Sequence, residues 1–121
     1  MNHAAITRFA TREPICCAVC RRRASWIGYA PQQNGKIIWC CGETKCTRHL
    51  KDVYRMSAAD FDRFEGIAVN KAGDIAGEYL DSIGKTDLAT LDPVQWHVFL
   101  TKVVFGFGEA MRQVLDEEIP F

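Results

Sequence analysis

The sequence carries no net charge: 15 Lys/Arg balance 15 Asp/Glu across its 121 residues. It has no apolar run of the roughly 18 residues that a membrane-spanning helix needs. The longest apolar-rich stretch, Val98 to Phe107, is broken by Thr101, Lys102 and Gly106. Its opening, MNHAAITRFATREP, lacks the basic start, long apolar stretch and small-residue cleavage pattern of a secretory signal. The expectation is therefore a cytoplasmic chain with no membrane partner. Internal repeats and low-complexity tracts are missing, and so is a Gly-rich phosphate loop, since the GFG at 106–108 follows no strand. No His-x-Glu precedes a cysteine pair, as zinc deaminases require. The CAVC at 17–20 lacks the βαβ setting of a thioredoxin-like motif. His3, His49 and His97 form no arrangement with Ser, Cys or Asp that suggests nucleophilic catalysis, and Asp116-Glu117-Glu118 reads as a solvated helix end. The chain is expected not to be an enzyme.

Cysteine is what the sequence has in excess, and all 6 lie between residues 16 and 46. In a reducing compartment, clustered cysteines indicate metal more often than disulfides. Cys17-x2-Cys20 forms one hook and Cys41-x4-Cys46 a second, the spacing of a tetrahedral site in which each hook supplies two thiolates. The preferred ligands are Cys17, Cys20, Cys41 and Cys46. The rival set includes His49, which stands in C-x2-H spacing after Cys46. Cys16 would point away from the site, and Cys40 is either a packed strand residue or a vicinal spare. Four thiolates favour one Zn2+ over iron. With four protein ligands no position is left for water or substrate, so the ion would be structural.

Between the hooks, Ser25 to Ala30 and Lys36 to Cys40 read as strands, rich in aromatic and β-branched residues. Asn34-Gly35 is a hairpin signal because both residues tolerate positive φ. Leu50, Val53 and Tyr54 recur at helical spacing between Thr47 and Met56. Knuckle, hairpin and helix together give a treble-clef-like zinc module. Trp26, Tyr29 and Trp39 are read as core, with an exposed binding face as the alternative. Ile6 and Phe9 either pack on this module or fray.

Ser57-x-x-Asp60 opens a new unit with a capping-box-like start. Phe61, Phe64, Ala68, Ala72, Ile75, Tyr79 and Ile83 share one face of a long helix, which Gly84 would cap. After a link at 85–91, Asp92-Pro93 with Gln95 starts a second helix reaching about Glu117. Its buried face would carry Trp96, Phe99, Leu100, Val103, Phe107, Met111 and Val114. Gly106 and Gly108 would mark a close crossing or a kink. The fold class is thus α+β: a zinc-binding module at 1–56 and an antiparallel helical hairpin at 57–121 that packs on it or on another subunit. A homo-oligomer is open on this reading.

Charge divides at the same boundary. Residues 1–56 hold ten Lys/Arg and three Asp/Glu, whereas residues 57–121 hold five and twelve. Either the basic half meets an acidic partner, or the halves neutralise each other within or between molecules. A nucleic-acid surface would use Arg21, Arg22, Arg23, Lys45 and Arg48 on phosphates. Lys36, Lys51 and Arg55 extend the same basic set, and Trp26 and Tyr29 would be available for stacking.

The CAVC at 17–20, WCCGETKC at 39–46, VYRM at 53–56 and GEYLDSIGKTDLATLDPVQW at 77–96 resemble a family of small proteins of unknown function from alphaproteobacterial phages and prophages. The resemblance implies Cys17, Cys20, Cys41 and Cys46 as ligands, with residue 40 free to vary, and a host-cell setting for a phage accessory protein. The expectation that follows is a non-catalytic adaptor or inhibitor that binds a protein, such as a host defence complex. Nucleic-acid binding by the basic half is the alternative.

Overall fold

Two helices of 26 residues dominate the molecule, and their ends are set by local side-chain chemistry. The computed structural model describes residues 16–25 and 27–118. The readings placed on Ile6, Phe9 and Trp26 lie outside the described residues. Strands β1 (Ile27–Tyr29) and β2 (Ile38–Cys40) are followed by α1 (Thr44–Thr47), α2 (Leu50–Arg55), α3 (Ala58–Ile83) and α4 (Pro93–Glu118). A single 3-10 turn, Leu88–Thr90, lies in the α3–α4 link. The chain is α+β: a two-stranded antiparallel hairpin, then helices.

At the start of α3, Ser57 Oγ accepts the Asp60 N–H at 3.1 Å. At its end, Gly84 takes φ +67 and its N–H donates to the Asp81 carbonyl, satisfying one of the orphan acceptors of the last turn. The start of α4 is a reciprocal capping box. The Gln95 N–H donates to Asp92 Oδ1 at 2.8 Å, and the Asp92 N–H donates to Gln95 Oε1 at 3.1 Å. Lys85 Nζ ties the link to this cap through Gln95 Oε1 at 2.7 Å and the Thr90 carbonyl at 3.0 Å.

The α3–α4 seam is lined by small residues. Ala68, Ala72 and Ala76 are buried on α3, and Gly106 and Ala110 on α4. A Cβ built on Gly106 would lie 3.6 Å from Ala72 Cα, ordinary contact. Gly108 faces elsewhere: a Cβ there would lie 2.6 Å from the Cys20 carbonyl oxygen. Gly106 therefore serves the crossing of the two helices, and Gly108 admits the first cysteine hook.

The core joins the hooks to one end of the hairpin. Val19, Leu50 and Val53 pack with Phe64 and Ala68 of α3 and with Met111, Val114 and Leu115 of α4. The far end is different. Ile75, Trp96 and Leu100, expected on buried faces, are exposed at 38%, 44% and 41%. Helical period marks an apolar face but not how far along the helix its cover extends. Among the described residues, the cysteine module packs on the α3-start and α4-end portion.

The β-hairpin turn also departs from expectation. Asn34 takes φ +64, but Gly35 is not among the positive-φ residues. Gly35 is required for space instead, because a Cβ there would come within 2.7 Å of the Tyr54 hydroxyl. Tyr54 in turn meets Tyr29 edge to face at 5.6 Å, fastening the hairpin to α2. The helix expected over Thr47 to Met56 is interrupted at Arg48 and His49, leaving two short helices.

Candidate metal centre

The first hook is a tight turn closed by the Arg21 N–H donating to the Cys17 carbonyl at 3.1 Å. Within it, the Val19 N–H points at Cys17 Sγ at 3.4 Å. Arg21 closes the turn at φ +66, a left-handed conformation that a non-glycine residue adopts at a cost of about 1–2 kcal/mol. The second hook leaves β2 and turns at Gly42, whose φ of +91 L side chains rarely adopt. It then places Cys46 inside α1. Backbone bonds register the two hooks against each other: the Ala18 N–H donates to the Trp39 carbonyl at 2.7 Å, and the Ser25 N–H to the Cys40 carbonyl at 3.0 Å.

The result is a cluster of four sulfurs, Cys17, Cys20, Cys41 and Cys46, all within 4.8 Å of one another. Cys17, Cys20 and Cys46 are buried and Cys41 is partly exposed. The donor set is uniformly soft, compact and closed on the protein side, and it could hold a metal ion. The sulfurs interact strongly. A hydrogen bond from Cys46 pulls the Cys17 thiol down to about 4, while the same contact and burial push Cys46 up. Burial raises Cys20.

Sequence reasoning missed Arg112, which α4 sends into this cluster. Its side chain is 8% exposed, with Nε 3.0 Å from Cys46 Sγ and a terminal nitrogen 3.8 Å from Cys41 Sγ. Burial opposes its charge, but the sulfurs of Cys46 and Cys20 outweigh that and hold the guanidinium firmly protonated. Glu109 at 2.7 Å and Glu43 at 3.1 Å complete its surroundings. A signal was present in the sequence: Arg112 is a lone cation set between Met111 and Val114 on the apolar stripe.

His49 is fully buried, and its Nε2 meets Asp116 Oδ1. It is not in the four-sulfur group. Arg48 grips the same carboxylate with two bonds, at 3.2 and 2.5 Å. Burial works against the Asp116 charge, but the bonds from His49 and Arg48 prevail and lower its pKa. Through Asp116, His49 and Arg48 tie the end of α4 to the α1–α2 break.

The basic residues proposed for phosphate contact are mostly engaged within the chain. Arg21 pairs with Glu65 at 2.5 Å and lies over Phe61, Arg22 stacks 4.5 Å from the Phe105 centroid, and Arg48 holds Asp116. Arg23 and Lys45 are exposed. Cys16 is exposed and pairs with Arg23 through an isolated bridge, while Cys40 is buried next to Cys17. No described helix is long and apolar enough to cross a membrane.

No curated protein and no solved structure matches the chain. Residues 58–121, which hold α3, α4 and with them Arg112 and Asp116, match the family DUF6511. That segment is more than half of the sequence, so the chain belongs to DUF6511, a family of unknown function.

Proposed function

We propose that this protein is a non-catalytic accessory protein, built on one structural Zn2+ held by Cys17, Cys20, Cys41 and Cys46, that acts by binding another protein as an adaptor or inhibitor. The closed sulfur cluster supports the first part, because four protein thiolates leave no coordination position for a substrate. When bound, the ion would cross-link the two hooks and supply folding free energy. The hairpin, α1 and α2 around it are read as a treble-clef-like module.

The observation that carries the binding role is the set of exposed apolar side chains on the helical hairpin. Val94 and Val104 of α4 are 71% and 62% exposed, and Val69, Leu100 and Phe105 are also exposed. Phe105 lines an apolar cavity of about 510 Å³ with Ile75, Val98 and Thr101, edged by His97, Lys102 and Glu109, while Val69 and Val104 line a second cavity of about 300 Å³ with Val103 and Phe107. Exposed apolar side chains beside open apolar cavities commonly mark an interaction site. The sequence resemblance to phage and prophage proteins makes a host or phage assembly, including a defence complex, the natural target class.

The test is affinity capture from host extract with the full chain and with Val104→Asp/Phe105→Glu, followed by identification of the captured protein and titration of it in purified form. Saturable binding by the parent chain, lost in the variant at unchanged melting temperature, is the expected result. Binding to short DNA or RNA that falls steeply with salt, with no purified protein bound, would replace this reading with the nucleic-acid one. Turnover of a substrate by the metal-loaded chain would end the non-catalytic reading.

A further inference from the structure

We infer that Arg22 and Arg23 form a receptor for a carboxylate of the bound partner, so that this surface selects a protein segment in which an acidic residue stands beside an apolar one. The inference rests on the protein-binding reading and deepens it by naming the chemistry of the segment recognised.

Three guanidinium groups, of Arg22, Arg23 and Arg112, line one open polar cavity of about 270 Å³, shared with Cys41 and Glu43. Arg112 is satisfied within the chain by Glu43, Glu109 and Cys46. Arg22 and Arg23 have no carboxylate partner among the described residues, although they are neighbours in sequence and face the same cavity. Like charges gathered in this way repel, and a bound anion relieves the repulsion. Arg22 is also oriented for the task. Its guanidinium lies over the Phe105 ring, 4.5 Å from the centroid. Stacking occupies the flat face of the group and leaves free its N–H edge, which fits a carboxylate through two parallel bonds.

Two contacts join this polar cavity to the apolar one of about 510 Å³. Arg22 lines the first and stacks on Phe105, which lines the second. Arg112 lines the first and bonds Glu109 at 2.7 Å, which lines the second. A segment lying across the shared wall would set an apolar side chain against Ile75, Val98 and Phe105 and place its carboxylate on Arg22 and Arg23. The surroundings favour an acidic peptide over a nucleic-acid backbone. Arg21 and Arg48, which would extend a track of phosphate contacts, are held by Glu65 and Asp116. Glu43 in the cavity wall repels further negative charge, so a single carboxylate suits the cavity better than a run of phosphates.

The experiment selects peptides from a random display library on the immobilised full chain, loaded with zinc, and then titrates an enriched peptide in purified form. Expected are peptides with Asp or Glu close to Leu, Ile or Phe, and a loss of affinity of about tenfold or more when that acid is replaced by its amide. Arg22→Gln/Arg23→Gln should lose affinity for the acidic peptide to the same extent, yet bind the amide twin as the parent does. Unfolding would abolish both, so the comparison isolates the charge. Arg63→Gln, which removes an exposed cation on α3, should leave both affinities unchanged. Enriched peptides without an acid, lost in Val104→Asp/Phe105→Glu but not in the arginine variant, would overturn the inference and leave the protein-binding reading intact. A library that yields no enriched peptide would also overturn it, with the protein-binding reading still decided by the capture experiment. Short DNA that displaces the peptide at near-physiological salt, and at lower concentration than unlabelled peptide does, would overturn both.

Discussion

Arg112 Nε sits 3.0 Å from Cys46 Sγ, across 66 positions of sequence, and so joins the family-matched hairpin to the cysteine module. Four thiolates around a divalent ion carry a net double negative charge, and a buried guanidinium offsets part of it. Groups that support ligands from the second layer are typically worth about 10–100-fold in metal affinity. Arg112→Leu is therefore expected to weaken zinc binding by that order, with Arg112→Lys intermediate because it keeps the charge but loses the fork. Competition against a chromophoric chelator would measure it. Equal affinity in all three folded proteins would reduce Arg112 to a packing residue.

The two glycines of α4 should respond oppositely to the same change. At Gly108 an added methyl would meet the Cys20 backbone, which cannot swing away, and overpacking of this kind costs about 1–3 kcal/mol. At Gly106 the nearest neighbours lie at 3.5 and 3.6 Å, so alanine fits and its better helix propensity adds up to about 1 kcal/mol. Thermal unfolding of the metal-loaded chain should show Gly108→Ala lowered and Gly106→Ala level or raised. The reverse order would contradict the docking of α4 on the first hook.

The deepest apolar contact should be Met111, which is fully buried among residues of both hooks and both long helices. Met111→Ala is expected to destabilise by about 2–5 kcal/mol, as core truncations do. Leu100→Ala, on the uncovered portion of the same helix, should change stability by less than about 1 kcal/mol. Denaturant midpoints would compare them, and similar losses would mean that the far end of the hairpin is covered in solution.

Asp116 gives a pH dependence with a definite sign. Its folded pKa is lowered, although burial pulls the other way, because His49 and Arg48 bond its charged form. A depressed carboxylate contributes stability that is complete above its unfolded value, near 3.8, and is lost as pH falls through the folded value. Asp116→Asn should therefore be less stable than the parent by a constant margin from neutral pH to about pH 5, with the margin closing only in stronger acid. Urea unfolding of both proteins across that range is the check. A margin that never closes would show that the carboxylate charge is not what stabilises the clamp.

The sequence could be read wherever a local rule decides the outcome. Ser57, Gly84 and the Asp92–Gln95 box terminate helices through bonds to neighbours three or fewer positions away, so their roles are visible without a fold. The cysteine hooks are legible for the same reason, each being a short turn. What the sequence hides is set by distance. Trp96 and Leu100 carry the correct period for burial, yet both are exposed. His49 has the spacing of a ligand, but its buried ring meets Asp116, 67 positions later. Arg112 meets Cys46, 66 positions earlier, only because α4 lies across the hooks.

The close approach of Gly108 to Cys20 also sets an order of events during folding. The long helices are joined by the short stretch between Gly84 and Asp92, so their pairing closes only a small loop, whereas docking the first hook on α4 brings together residues 88 positions apart. Local contacts form before remote ones because chain closure costs entropy that grows with loop length. The helical pair is thus expected to assemble first and to act as the template on which the hooks are cast, with cation capture as the final latch. A newly made chain short of metal would then be a half-finished molecule: helices in place, thiols unclaimed, and its later chemistry decided by whichever soft ion or electrophile arrives first.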